Sequence, residues 1–270
     1  MTSSDPHDER SVRQSKLHTL RAIWVKLYPD RFAGKQDIAD IRKKNSKKEL
    51  RTIEEIISGP DNVVHTAGRI MLMRSFWKLI FGTLQDFSDQ IQFALSKDFC
   101  LLDQDGGELR EIGKESISPF KIFEKYIDRG DIIGIHGELF MTHKGELTIF
   151  VRSFQLLSKA FLPLPEKFHG LADEETIYRK RYLDMITEKT SYDRMVFRSR
   201  FVQKLREFYY HEGFIEVETP TLGNSASGAL AHPFTTHHEA TDSDLYLRIA
   251  PETSLKKCTV GGMEKVFEIG

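Results

Sequence analysis

The chain has 270 residues, 40% of them apolar and 29% charged, with 39 basic against 40 acidic side chains. Length alone corresponds to about 1.8 average domains, and the apolar content excludes wholesale disorder. The near-zero net charge excludes a globally basic nucleic-acid binder and leaves a local basic patch open.

No stretch of about 18 apolar residues occurs, so no membrane-spanning helix is expected. The polar start Met1–Arg10 is unlike a signal peptide. Cys100 and Cys258 stand far apart, with no Cys-x-x-Cys. A disulfide framework or thiolate zinc site is therefore not expected, and a reducing cytoplasm fits.

The first segment is residues 1–60, a helical extension. Leu17, Leu20, Trp24, Leu27 and Tyr28 recur at helical spacing, and Pro29 stops the run. Lys35–Arg51 holds seven basic and three acidic residues. Ile38 and Ile41 place these charges on a short amphipathic helix, and a second helix is expected over Lys48–Ser58. The basic run reads either as a solvated face or as a clamp on nucleic-acid phosphates.

Residues 61–158 read as a β-barrel with one helix. Strands are expected at Val63–Arg74, Lys78–Asp86, Gln90–Lys97, Asp131–Met141 and Glu146–Leu157, with a helix over Ser118–Asp128. Five strands with a helix between the third and fourth is the order of the OB-fold, which binds oligonucleotides or sugars. Side chains alternate along a strand, so Ile80 and Leu84 face one way and Phe81 the other. Gln92 likewise points away from Ile91 and Phe93. Phe81, Gln92 and Arg74 are thus candidates for one outward face, where an aromatic plane stacks a base and polar groups read its edge. Phe81 as a core residue is the competing reading.

Residues 159–175 form a linker containing Leu162–Pro165. Residues 176–270 read as α+β. Helices are expected over Asp173–Ile186, Tyr192–Glu212 and Pro251–Thr259, and strands at Phe214–Val217, Leu245–Ile249 and Lys265–Ile269. Leu222–His232 is small and flexible. His232, His237 and His238 lack the spacing of a metal site, so no metal ligand is assigned. No phosphate-binding Gly-x-x-x-x-Gly-Lys loop and no Gly-x-Ser-x-Gly elbow occur. Glu252, at a strand-to-helix transition, either binds a cationic ligand or serves as a helix N-terminal carboxylate.

Several stretches together resemble the class II lysyl-tRNA synthetases. They are Ala67–Arg69, Phe81–Asp86, Leu162–Gly170, Arg179–Asp184, Gly213–Pro220, His232–His238 and Tyr246–Glu252. Arg-Tyr-Leu-Asp at 181–184 and Glu-Val-Glu-Thr-Pro at 216–220 are shared with related synthetases. The paired histidines and Ala-Pro-Glu at 250–252 point to the lysine enzymes.

The resemblance implies an α+β multidomain chain: N-terminal helices, a five-stranded OB-fold barrel, and part of an antiparallel-sheet catalytic domain. It implies that Arg74, Phe81, Gln92 and Glu146 contact the anticodon of tRNA(Lys). It implies a homodimer motif over 197–222 that includes Phe197, Phe201 and Pro220. It implies lysine binding by the Gly228 backbone and by Glu252. Leu255 stands where the aspartate enzymes carry a lysine. ATP and Mg²⁺ are expected for the whole enzyme, through arginine-bearing motifs that the resemblance puts beyond Gly270. No catalytic residue is assigned here, and these 270 residues alone are expected to be catalytically inactive. The alternatives are a non-catalytic tRNA-binding module and an aspartyl- or asparaginyl-tRNA synthetase.

Overall fold

The computed structural model describes residues 8–45, 62–103, 117–165, 173–226 and 230–270. Two compact units divide at Glu166 and Lys167. The helix expected over Lys48–Ser58 lies outside the described residues, as does Gly228.

Helix α1 spans Glu9–Ala22, capped by Asp8, whose carboxylate accepts from the Arg10 amide. It ends earlier than the apolar spacing suggested. The Val25 amide reaches back to the Leu20 carbonyl and the Trp24 amide to the Arg21 carbonyl. Trp24 takes the left-handed conformation at φ +64. This is a Schellman cap with tryptophan where glycine is usual. The early stop lets Ile23 and Val25 join Leu20 in the core, and Trp24 is left exposed. Helix α2 follows at Ile38–Asn45, burying Ile38 and Ile41 as expected.

The first unit is built on one sheet of six strands. These are β1 (Val63–Phe76), β2 (Leu79–Gln85), β3 (Gln90–Ser96), β4 (Leu101–Leu102), β5 (Ile132–Met141) and β6 (Leu147–Ser158). The order is β3-β2-β1-β5-β6-β4, and an additional parallel pairing of β3 with β6 closes the sheet into a barrel. The two-residue β4 was not apparent from sequence. Helix α3 (Pro119–Tyr126) precedes β5 and is capped by Ser118. Phe120, Ile122 and Phe123 of α3 meet Ile80, Leu84, Ile91, Phe93 and Phe154 in one core, which α1 and α2 share. Gly82 is required by close approach: a β-carbon there would strike the Phe93 ring.

Two polar anchors fasten the helices to the barrel. Lys159, fully buried, donates to Asp131 at 2.7 Å and to Asp128 at 2.5 Å, and Lys16 of α1 also reaches Asp128. Arg13 of α1 donates to the carbonyls of Arg129 and Ala160. At the other side, Asp86 in the β2–β3 turn accepts from Lys35, from the Ile38 amide that opens α2, and from the Ser88 and Asp89 amides. Although burial opposes its ionisation most, the hydrogen bonds from Lys35, Ser88 and Ile38 prevail and lower its pKa to about 2.

The second unit is α+β. The helix expected over Asp173–Ile186 is two helices, α4 (Glu174–Arg179) and α5 (Arg181–Thr187). Lys180 breaks them by leaving helical geometry at φ −119, ψ 45. Helix α6 runs Lys189–His211 and ends before Gly213 at φ +80. Strands β8 (Leu222–Gly223), β10 (Ser243–Leu247) and β9 (Thr235–His238) form an antiparallel sheet in that order. Strand β9 was not anticipated. The remaining pair, β7 (Ile215–Glu216) with β11 (Val266–Phe267), is parallel, beside the antiparallel sheet, and α7 (Glu252–Val260) precedes β11. Tyr209 stacks on Phe267 at 4.6 Å between centroids.

Lys159→Met removes the one basic group that, among the described residues, bonds buried Asp131. Breaking a buried pair on one side costs about 3–5 kcal/mol, so urea unfolding should show a loss of that order. For Asp86 the folded pKa near 2 lies below the ordinary 3.8. Its contribution is therefore complete above about pH 4 and drains away as pH falls toward about 2. The urea midpoints of wild type and Asp86→Asn should differ near pH 7, and the gap should narrow steadily below about pH 4 and close only as pH falls through about 2. A constant gap would refute the role given to the charge.

Candidate nucleic-acid interface

The barrel's outer face carries the three residues expected there. Arg74 on β1 lies opposite Phe81 on β2, Phe81 opposite Ala94 on β3, and Ala94 opposite Phe150 on β6. The neighbouring row is Thr83, Gln92, Thr148 and Phe140. Paired residues share a face, as do residues two apart along a strand, so Arg74, Phe81 and Gln92 belong to one surface.

Phe81 is half-buried against a small satellite cluster of Ala94, Phe140 and Phe150, separate from the main core. The ring is thus packed on one side and neither enters the main core nor stands fully exposed. An anchored ring loses little freedom when a base stacks on it. Phe76 meets it edge-on at 6.3 Å between centroids.

Gln92 and Thr148 are hydrogen-bonded at 2.7 Å, and the Thr148 hydroxyl is also 3.1 Å from the Glu146 carbonyl. One hydroxyl proton cannot serve both acceptors. The Thr148 hydroxyl donates to the Gln92 side-chain oxygen, the shorter of the two contacts. Glu146 itself is exposed at the β5–β6 turn, its amide bonded to the Thr142 hydroxyl. Gln92 and Glu146 therefore sit on either side of Thr148.

Sequence reasoning missed Thr148 and Arg152. Thr148 and Phe150 alternate along β6, which was a readable signal. Arg152 continues the same alternation two residues beyond Phe150, at the β-bulge after which the β5–β6 register shifts. Its guanidinium lies 5.0 Å from the Phe150 ring and 5.6 Å from Phe99, and it pairs with Glu138 at 2.9 Å.

The basic run is only partly described. Arg42 of α2 donates to the Gln90 carbonyl and pairs with Asp89. This holds α2 beside the strand that carries Gln92. Lys35 is engaged by Asp37 and Asp86.

In the second unit, Glu252 is the first residue of α7 and is exposed. It pairs with Lys256 one turn on at 2.6 Å, and the hydrogen bond from Lys256 holds its carboxyl below the usual range. The described residues enclose no pocket around it. Leu255 lies in the same helix, partly buried. Phe197 and Phe201 stack at 6.4 Å and are 70% and 57% exposed, so they do not enter this chain's core. Pro220 is exposed between β7 and β8. His237 bonds Asp244, and His238 bonds Thr241.

Residues 64–157 match the family model for the OB-fold nucleic acid binding domain, and residues 173–270 match that for class II tRNA synthetases (D, K and N). The chain is 44% identical over 270 residues to a lysine–tRNA ligase of Magnetococcus marinus, covering 100% of this chain and 50% of that protein. It is 42% identical over 264 residues to a lysine–tRNA ligase of Streptococcus suis, covering 98% and 49%. It is 42% identical over 259 residues to a lysine–tRNA ligase of Methanoculleus marisnigri, covering 96% and 47%. The chain spans about half the length of the curated relatives it matches. A segment at 64–157 that matches an OB-fold nucleic acid binding domain is thus followed by one at 173–270 that matches class II tRNA synthetases (D, K and N).

Proposed function

We propose that this chain is the anticodon-reading and part of the lysine-recognising portion of a lysine–tRNA ligase. The whole protein would activate lysine with ATP, release pyrophosphate, and pass the lysyl group to the terminal ribose of tRNA(Lys). The observation that carries the reading is the outward face of the barrel. Arg74, Phe81 and Gln92, widely spaced in sequence, come together there with Glu146 at the adjoining turn.

On this face Phe81 supplies the stacking plane for an anticodon base. Gln92, oriented by Thr148, presents an amide edge that both donates and accepts, as reading a uracil requires. Arg74 supplies charge to the backbone or a base oxygen. The basic helix α2 beside β3 would hold phosphates without reading sequence. Residues 61–158 serve as the RNA-reading body, with the helices before it as an extension.

In the second unit, the Glu252 carboxylate already holds a lysine ammonium, that of Lys256. The same geometry suits a substrate lysine, and Leu255 brings no competing cation. Gly228 would contribute its backbone nearby. Phe197, Phe201 and Pro220 would face a second copy in a homodimer, which would cover the exposed rings. Among the described residues no group of three or more acidic, histidine or cysteine side chains is placed to hold a metal ion, so no step is routed through Mg²⁺. Two free cysteines accord with a reducing, cytoplasmic setting.

A second reading, a non-catalytic tRNA-binding module, draws on the fact that the barrel closes on itself within one compact unit.

A stem-loop RNA with a UUU anticodon should bind this chain, and Phe81→Ala should weaken binding by about 1–3 kcal/mol with little change in salt dependence. Equal affinity for both proteins would refute the stacking role. In the full-length protein carrying this segment, Glu252→Gln should sharply reduce ATP–pyrophosphate exchange at low lysine. Unchanged exchange would refute the lysine assignment and favour the binding-only reading.

A further inference from the structure

The tip of the β1–β2 hairpin carries a feature that the anticodon face as described does not use. Phe76 pairs with Leu79, so Trp77 and Lys78 alone form the turn. Trp77 takes φ +34. Two-residue hairpin turns use positive φ at their first position and favour glycine there. A bulky aromatic residue in this conformation costs backbone strain. Trp77 recovers little by packing, since it is 89% exposed. A hairpin chosen for stability alone would carry glycine at this position.

The surroundings of the ring indicate what it meets. Arg74, Phe76 and Phe81 lie on the same face as each other, two residues apart or directly paired. Phe76 is itself 57% exposed and touches Phe81 edge-on. The aromatic surface thus continues from the Phe81 ring through Phe76 to the turn. Lys78 places its ammonium 5.4 Å from the Trp77 ring centroid. A cation on one side of an indole leaves the other side as a polarised, open plane. Exposed rings interleaved with Arg74 and Lys78 suit a polyanion whose bases can be splayed out, which is single-stranded RNA.

We propose that Trp77 is a second stacking platform, holding a loop nucleotide that flanks the one on Phe81, with Lys78 facing its phosphate. This inference rests on the proposed RNA-reading face and extends it along the hairpin. Stacking is tolerant of base identity, so Trp77 adds affinity and fixes the path of the loop while Gln92 and Arg74 select the base.

The test uses the 270-residue chain and the stem-loop RNA with a UUU anticodon. Trp77→Gly fits the positive φ, so it should fold at least as stably as wild type in urea. It should bind the RNA about 5-fold or more weakly, in keeping with the loss of one stacked base. Trp77→Phe should retain most of the affinity. The chain has two tryptophans, so Trp24→Phe leaves Trp77 as sole reporter, and its fluorescence should be quenched on RNA binding. Unchanged affinity in Trp77→Gly, or an unquenched Trp77, overturns the inference. If Phe81→Ala still weakens binding in that case, the RNA-reading face stands without the second platform. If neither substitution weakens binding, the face itself is wrong and the inference falls with it.

Discussion

The parallel pairing of β3 with β6 closes the barrel, and the candidate RNA face exists only because of it. It places Gln92 against Thr148 and Ala94 against Phe150. Without it, Gln92 would be a solvated glutamine on an edge strand and the Phe81 ring would lack the aromatic backing of β6. Closure also removes the free edge of β3. The interior supports it: Phe93 fills the space above Gly82, and Phe123 meets both Phe93 and Phe154 edge-on. One packing arrangement therefore stabilises the barrel and sets out the polar groups on its surface.

Much of this was legible from local periodicity. Alternation along β2 and β3 separated Ile80, Leu84, Ile91 and Phe93 from Phe81 and Gln92, and the structure keeps that division. Features decided by distant partners were not legible. Asp86 opens a helix far upstream of itself, and Thr148 orients a glutamine on another strand. The end of α1 was misjudged because its left-handed residue is Trp24, and tryptophan carries no stop signal. Two- and four-residue strands such as β4 and β9 are too short to show a period. The Glu252–Lys256 pair was visible as helical spacing and could have been read.

The two units differ in how their aromatic residues are satisfied. In the barrel, most large side chains are enclosed by the chain itself. Among the described residues of the second unit only Phe267 is a buried hydrophobic residue, and α6 exposes Phe197, Phe201 and Phe208. Polar ties do much of the local work there. Arg206 holds Glu216, and Arg248 joins Thr219 to Glu268. Such a unit gains most from surfaces that it meets elsewhere, whereas the barrel depends mainly on its own core.

That contrast bears on the order in which the molecule can form during synthesis. The strands β1, β2 and β3 are joined by tight turns and can pair as soon as they emerge. Barrel closure waits only for β6, and among the described residues of the first unit the main core and its two polar anchors are complete by Ala160. In the second unit Ile215 must wait for Val266 before its strand has a partner. Domains fold in the order they are made. The barrel would thus be finished while β7 and the aromatic face of α6 are still unpaired, and the interval between the two events is when this chain most needs a chaperone.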